Sequence, residues 1–145
     1  MNNRNCITLL EEIVPAAALG IRIAERADGC IVLTAPLSLN LNDKGSAFAG
    51  SIDSLLDLAG WSAIMLALQN TGIDADVMIV KSETEYTAAV RADMTATAGL
   101  AREDTARLLD ELKEVGRGRI AVSARLTAAE SLCATMSAQY AVRVR

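Results

Sequence analysis

The chain contains no histidine. That absence excludes a Ser-His or Cys-His nucleophile pair and every histidine-ligated metal centre. Any catalysis must rest on carboxylates, amides, hydroxyls, lysine or backbone dipoles. Aromatic residues make up only 3% of the chain, so few platforms exist on which nucleic-acid bases could stack. The net charge is -4 and no basic stripe is present, so nucleic-acid binding is not expected. Cys6, Cys30 and Cys133 lie far apart, without metal-ligand spacing, and their odd number argues against a disulfide framework. Each reads as a small core hydrophobe, and no metal is expected.

What is present is aliphatic. Apolar residues make up 52% of 145, enough for one domain with a sizeable core over residues 1–145. The N-terminus does not read as a secretory signal, because Glu11 and Glu12 interrupt its apolar run. The apolar segment from Ile52 to Leu68 approaches membrane-spanning length. Asp53, Asp57 and Gly60 within it favour the buried helix of a soluble, cytoplasmic protein with no membrane contact.

Apolar spacing predicts a helix over residues 4–14, ended by Pro15. Alternation predicts a strand over 19–25, a turn at Asp28-Gly29, and a second strand from Cys30 towards Pro36. A polar loop from Ser38 leads into a helix over about 50–70, apolar nearly all round and therefore buried on most sides. Strands follow over 76–90 and 93–101. A surface helix over 102–116 comes next, with Asp104 or Thr105 as cap, Ala106, Leu108, Leu109, Leu112 and Val115 facing inward, and Gly116 at its end. Two alternating strands joined around Glu130 and Ser131 complete the chain. This order fits an α+β fold: one antiparallel sheet wrapped around one long central helix.

The stretch "NLNDKGSAFAGSIDSLLDLAGW", Asn40 to Trp61, holds the chemistry. A helix that begins at Phe48-Ala49-Gly50-Ser51 offers free N–H groups and a positive dipole end. Gly50 either lets a substrate approach that backbone or simply lets the loop turn. Asn40 and Asn42 either donate to a ligand or build turns, and the same choice holds for Asp43, Lys44 and Ser46. Ser46 has no histidine to activate it as a nucleophile. Asp53 suits the helix dipole. Asp57, one turn on and among leucines, is costly unless a cleft or partner solvates it. On the strand after the helix, Lys81, Glu83 and Glu85 share one face, and Ser82, Thr84 and Tyr86 the other. Lys81 is either an exposed strand lysine or a phosphate contact. Trp61 belongs to the core or to an interface.

The same stretch resembles the signature of the hot-dog family found as the C-terminal domain of YiiD-type proteins, N-x-N-D-K-G-[ST]-A-F-x-G-S followed by leucines and A-G-W. Asn40, Asn42 to Phe48, Gly50, Ser51 and Ala59 to Trp61 fit it. "VKSETEYTAAV" is similar to the family's K-S-E-x-x-Y-x-x-P-V, with Ala89 in place of proline, and "ELKEVGRGRI" and "ATMSAQYAV" resemble its last two strands. The resemblance implies a single hot-dog domain, with no acetyltransferase domain ahead of it. It implies a homodimer or dimer of dimers that places acyl-thioester sites between subunits.

The implied activity is thioester hydrolysis on acyl-CoA or acyl carrier protein. Malonyl-ACP decarboxylation and non-catalytic acyl-thioester binding are the alternatives. No separate cofactor is implied; CoA or phosphopantetheine comes as part of the substrate. Asn42, Ser46, Gly50 and Asp57 are the expected catalytic groups, and Asn40, Asp43, Lys44, Phe48, Ser51, Lys81 and Tyr86 the expected substrate contacts. Asp57 also stands where phenylacetyl-CoA-type hot-dog thioesterases carry an acidic residue that activates water or attacks the thioester. Phe48 stands where those enzymes often have histidine.

Overall fold

The computed structural model describes residues 5–27 and 29–145; Arg4 and Asp28, which the sequence placed in the first helix and the first turn, lie outside them. Helices α1 (Cys6–Glu12) and α2 (Val14–Ala18) come first, then strands β1 (Arg22–Ala27) and β2 (Cys30–Ala35). The long helix α3 (Ala49–Gln69) is followed by β3 (Ala75–Tyr86), β4 (Met94–Gly99), helix α4 (Arg102–Val115), β5 (Arg117–Ala128) and β6 (Ser131–Val144). The strands form one antiparallel sheet in the order β1-β2-β4-β5-β6-β3. Helix α3 packs against five of the six strands, so the sheet wraps it as expected.

Alternation builds the core. Ile120, Val122, Ala124 and Leu126 of β5 face inward, as do Ala134, Met136, Ala138 and Tyr140 of β6. Alanines recur on this inner face, with Ala96 and Ala98 on β4, so the leucines of α3 meet a shallow surface. Leu55, Leu56, Ala59, Ala63 and Ile64 fill that space. Helix α3 is long and apolar enough to cross a bilayer, and 56% of its apolar window is buried inside the fold. It is not enclosed all round. Asp53, Asp57, Trp61 and Met65, spaced by four, form a half-open stripe along it.

The first turn of the chain departs from the expected pattern. Pro15 does not end a helix; it stands in the first turn of α2, where its missing N–H has no partner to lose. The break falls at Ile13, which is extended. The second helix α2 and its C-cap Leu19 delay the strand expected from residue 19, and β1 begins only at Arg22. On α4, Ala101 is the N-cap, without a side-chain bond, while Glu103 and Asp104 sit in the first turn, where the dipole favours them. Leu108 and Leu112 are buried, whereas Ala106 and Val115 face solvent. Gly116 ends the helix in the left-handed conformation, as expected.

Strand β3 is an edge strand with a bulge. Its pairing with β6 runs Ile79↔Tyr140 and then Lys81↔Gln139, which leaves Val80 as an extra residue. Before the bulge the odd residues face inward, as at Val77 opposite Val142. Without it, Lys81, Glu83 and Glu85 would follow them into the core. The extra residue exchanges the two sets, so that Ser82, Thr84 and Tyr86 turn towards α3.

Candidate active site at the mouth and open stripe of the central helix

The loop before α3 is built by its own polar side chains. Asn42 Nδ2 donates to Ser46 Oγ at 2.9 Å and to the Ala47 carbonyl at 3.3 Å. Its Oδ1 accepts from the N–H groups of Lys44 and Ser46, at 2.8 and 3.1 Å. Both amide hydrogens and both lone pairs are therefore used inside the loop. Asn40, 2% exposed, donates to the carbonyls of Leu19 and Pro36 at 2.9 and 2.7 Å, while its Oδ1 is buried with no partner. The N–H groups of Ala47 and Phe48 bond Val90 and Asn40, which pins the loop on two sides. Asp43 and Lys44 pair with each other at 3.0 Å, out in solvent.

This frame presents the start of α3. The N-cap is Phe48, which has no side-chain oxygen with which to cap. The N–H groups of Ser51 and Ile52 turn back to the Phe48 carbonyl. Those of Ala49 and Gly50, in the first turn, have no acceptor among the described residues. The half-exposed Phe48 ring lies over Gly50, where a Cβ would stand 3.0 Å from its Cζ. Ser51 is buried.

Further along the same helix, the open stripe carries the carboxylates. Asp53 accepts a 2.6 Å hydrogen bond from Thr84 Oγ1, across from β3. Asp57 Oδ1 is buried and has no hydrogen-bond partner. Desolvation, and secondly the neighbouring Asp53 charge, push its pKa up to about 6. The half-exposed Tyr86 faces both carboxylates: burial first, then the Asp53 carboxylate, raise its phenol above the ordinary range. Behind the helix, Tyr140 donates from its phenol to the Asp57 backbone carbonyl at 2.7 Å.

The structure thus unites Asp57, Tyr86 and the Phe48-Gly50 backbone on one side of α3. It sets Lys81 apart: Lys81 stands on the outer face of β3, 3.7 Å from Glu83. Asn42 and Ser46, expected among the reacting groups, serve the loop that aims the helix. Two side chains escaped the sequence reading. Thr84 shares the face already assigned to Tyr86 and needed only the helix opposite it. Tyr140 was signalled by Gly60, since a glycine inside a strong helix marks a close approach. Among the described residues no three Asp, Glu or Cys side chains converge as metal ligands. A groove of about 680 Å³ lies elsewhere, between α1 and β1, and contains none of these groups.

A six-stranded antiparallel sheet around one central helix is the hot-dog fold. Comparison with known proteins places the chain further. Residues 6–144 match the family described as "Putative thioesterase (yiiD_Cterm)", and the chain belongs to that family. A Shewanella oneidensis protein carrying the same thioesterase description superposes with a TM-score of 0.86 at 23% identity, over 97% of this chain and 95% of the other. A Chlorobaculum tepidum protein of unknown function gives 0.92 at 23% identity, over 99% and 94%. A Haemophilus influenzae thioesterase gives 0.76 at 19% identity, over 99% and 92%. At such identities the likeness speaks for the fold alone.

Proposed function

We propose that the chain is an acyl-thioester hydrolase in which Asp57 is the general base and the Ala49 and Gly50 N–H groups form the oxyanion site. The observation that carries this reading is the unpartnered Asp57 carboxylate on the same helix as an uncapped N-terminus. Gly50 and Asp57 are seven residues apart, about 10 Å along the axis, and nearly two full turns return them to one face. A carboxylate, a water, a carbonyl and an N–H in line, joined by two hydrogen bonds and one attack distance, span about the same length.

The chemistry follows from those positions. With its pKa near 6, Asp57 is mostly ionised at neutral pH and a stronger base than an ordinary carboxylate. It takes a proton from water as the water oxygen attacks the thioester carbon. Negative charge then develops on the carbonyl oxygen, where the two amides and the helix dipole stabilise it. Collapse of the tetrahedral intermediate expels the CoA or phosphopantetheine thiolate. Phe48 shields Gly50 and lines the approach of the acyl group. Asp53, held by Thr84, keeps the local field negative and the Asp57 carboxyl basic.

The substrate is an acyl group on CoA or on acyl carrier protein. A second copy of the chain covers the β3 edge, where Met78, Ile79 and Val80 are each more than two-fifths exposed on a strand with unpaired backbone groups. Such a dimer would close the open stripe of α3 into a cleft.

The test is a panel of acyl-CoAs and acyl-ACPs, malonyl-ACP among them, assayed for free thiol, acetyl-thioester and carbon dioxide. Free thiol, lost in Asp57→Asn, is the expected result. Acetyl-thioester with carbon dioxide would replace this reading by decarboxylation, and binding without turnover would replace it by carriage alone.

A further inference from the structure

Gly60 sits in the middle of a 21-residue helix, where glycine is a poor helix former. The reason for it lies across the core. A Cβ at Gly60 would stand 2.9 Å from Cζ and 3.1 Å from Cε2 of Tyr140, and would collide with the phenol oxygen. Tyr140 heads the fully buried side chains, 1% exposed, and points inward from the middle of β6.

Its hydroxyl needs a partner there, and it finds one on α3. It donates to the Asp57 carbonyl at 2.7 Å. Residues 57 and 61 are the i and i+4 ends of one helical hydrogen bond. A hydroxyl bonded to the carbonyl end of such a rung fixes the local bend of the helix. Burial, and then the Asp57 carboxylate, hold the phenol protonated far above the working pH range. Because its one proton is committed to the Asp57 carbonyl, it cannot satisfy the Asp57 carboxylate, whose Oδ1 stays unpartnered.

We propose that Tyr140 is a positioning residue for the hydrolysis: admitted by Gly60, its phenol sets the backbone of Asp57 so that the carboxylate stands free at the open stripe as a base. The inference rests on the reading of Asp57 as that base. The charged and titratable groups facing Asp57 are Asp53 from its own helix, Tyr86 from β3 and Tyr140 from β6.

The experiment compares steady-state pH profiles of the full chain with those of Tyr140→Phe, Asp57→Asn and the double variant, on whichever acyl-thioester the wild type cleaves. Tyr140→Phe should lower kcat about tenfold, leave KM within about twofold and displace the acid limb of the profile. In the Asp57→Asn background the same change should alter the residual rate by less than about twofold, because the two residues act as one unit. Wild-type kcat and acid limb in Tyr140→Phe, beside an inactive Asp57→Asn, would overturn the inference and leave the base intact. Undiminished hydrolysis in Asp57→Asn would remove the base itself. If Tyr140→Phe does not fold, Gly60→Ala, which displaces the phenol and keeps its hydroxyl, must show the same fall in kcat; unchanged kinetics there would equally refute it.

Discussion

Replacing Asp57 by asparagine should make the protein more stable while stopping hydrolysis, and the gain should depend on pH. Asparagine keeps the shape of the side chain and removes the charge. Desolvation lifts the Asp57 pKa from 3.8 to about 6 in the folded chain. Two units correspond to roughly 3 kcal/mol against the ionised folded form. The side chain is only partly buried, so solvent screening leaves about half of that, near 1.5 kcal/mol.

The sign follows from proton counting. Between pH 4 and pH 6 the folded state holds more protons at this site than the unfolded state, so stability falls as pH rises through that window. Asp57→Asn should match the wild type at pH 4. At pH 8 it should exceed it by about 1.5 kcal/mol, or about 5 °C in Tm for a chain of this size. Urea titrations at the two pH values, with protein concentration fixed, measure the difference. Thiol release at pH 8 should fall at least about a hundredfold. A variant equally stabilised at both pH values, or destabilised at pH 8, would show that the carboxylate is not strained by desolvation, and the argument for its basicity would fail.

Three further outcomes follow from the geometry. Asn40→Ala removes the donors to two partly buried carbonyls and should cost about 2–4 kcal/mol in urea denaturation; a loss under half of that would mean water replaces the amide. The β5–β6 turn places two non-glycine residues in left-handed conformations, Ala129 at φ 48° and Glu130 at φ 64°. Replacing the pair by Asn-Gly should raise stability by about 1–2 kcal/mol, seen as a higher Tm. Val80→Lys should shift a dimer towards monomer in analytical ultracentrifugation at micromolar concentration, and an unchanged mass would place the interface elsewhere.

The parts of the fold that were legible are those carried by a continuous period. Helix α3 and the strands β5 and β6 announce themselves because their whole length repeats one pattern; α3 lies within a residue of its expected limits, and the two strands meet at the expected turn. Helix α2 was hidden because Pro15 punctuates a helix at either end, and no local signal says which. The Val80 bulge was hidden because nothing in valine marks it; only the conflict between Val77, which must be buried, and Lys81, which must not, hints that the phase changes between them. In the candidate site, Asp57 stood out as a carboxylate among leucines. The roles of Asn40 and Asn42 did not, because asparagine donates equally well to a ligand or to its own loop, and only the surrounding carbonyls decide. Tyr140 contacts the helix from a residue 83 positions away from Asp57, a distance over which no periodicity speaks.

The extra residue at Val80 makes β3 a strand written in two reading frames. Its first half anchors the hydrophobic base of the sheet, and its second half presents Thr84 and Tyr86 to the carboxylates of α3. The join between them tolerates a change of side chain far better than a change of length. Deleting one residue there would leave composition almost untouched, yet would turn Lys81, Glu83 and Glu85 against the helix and send Thr84 and Tyr86 into solvent. In this protein a single missing codon at the bulge would exchange the reactive wall of the site for its outer surface.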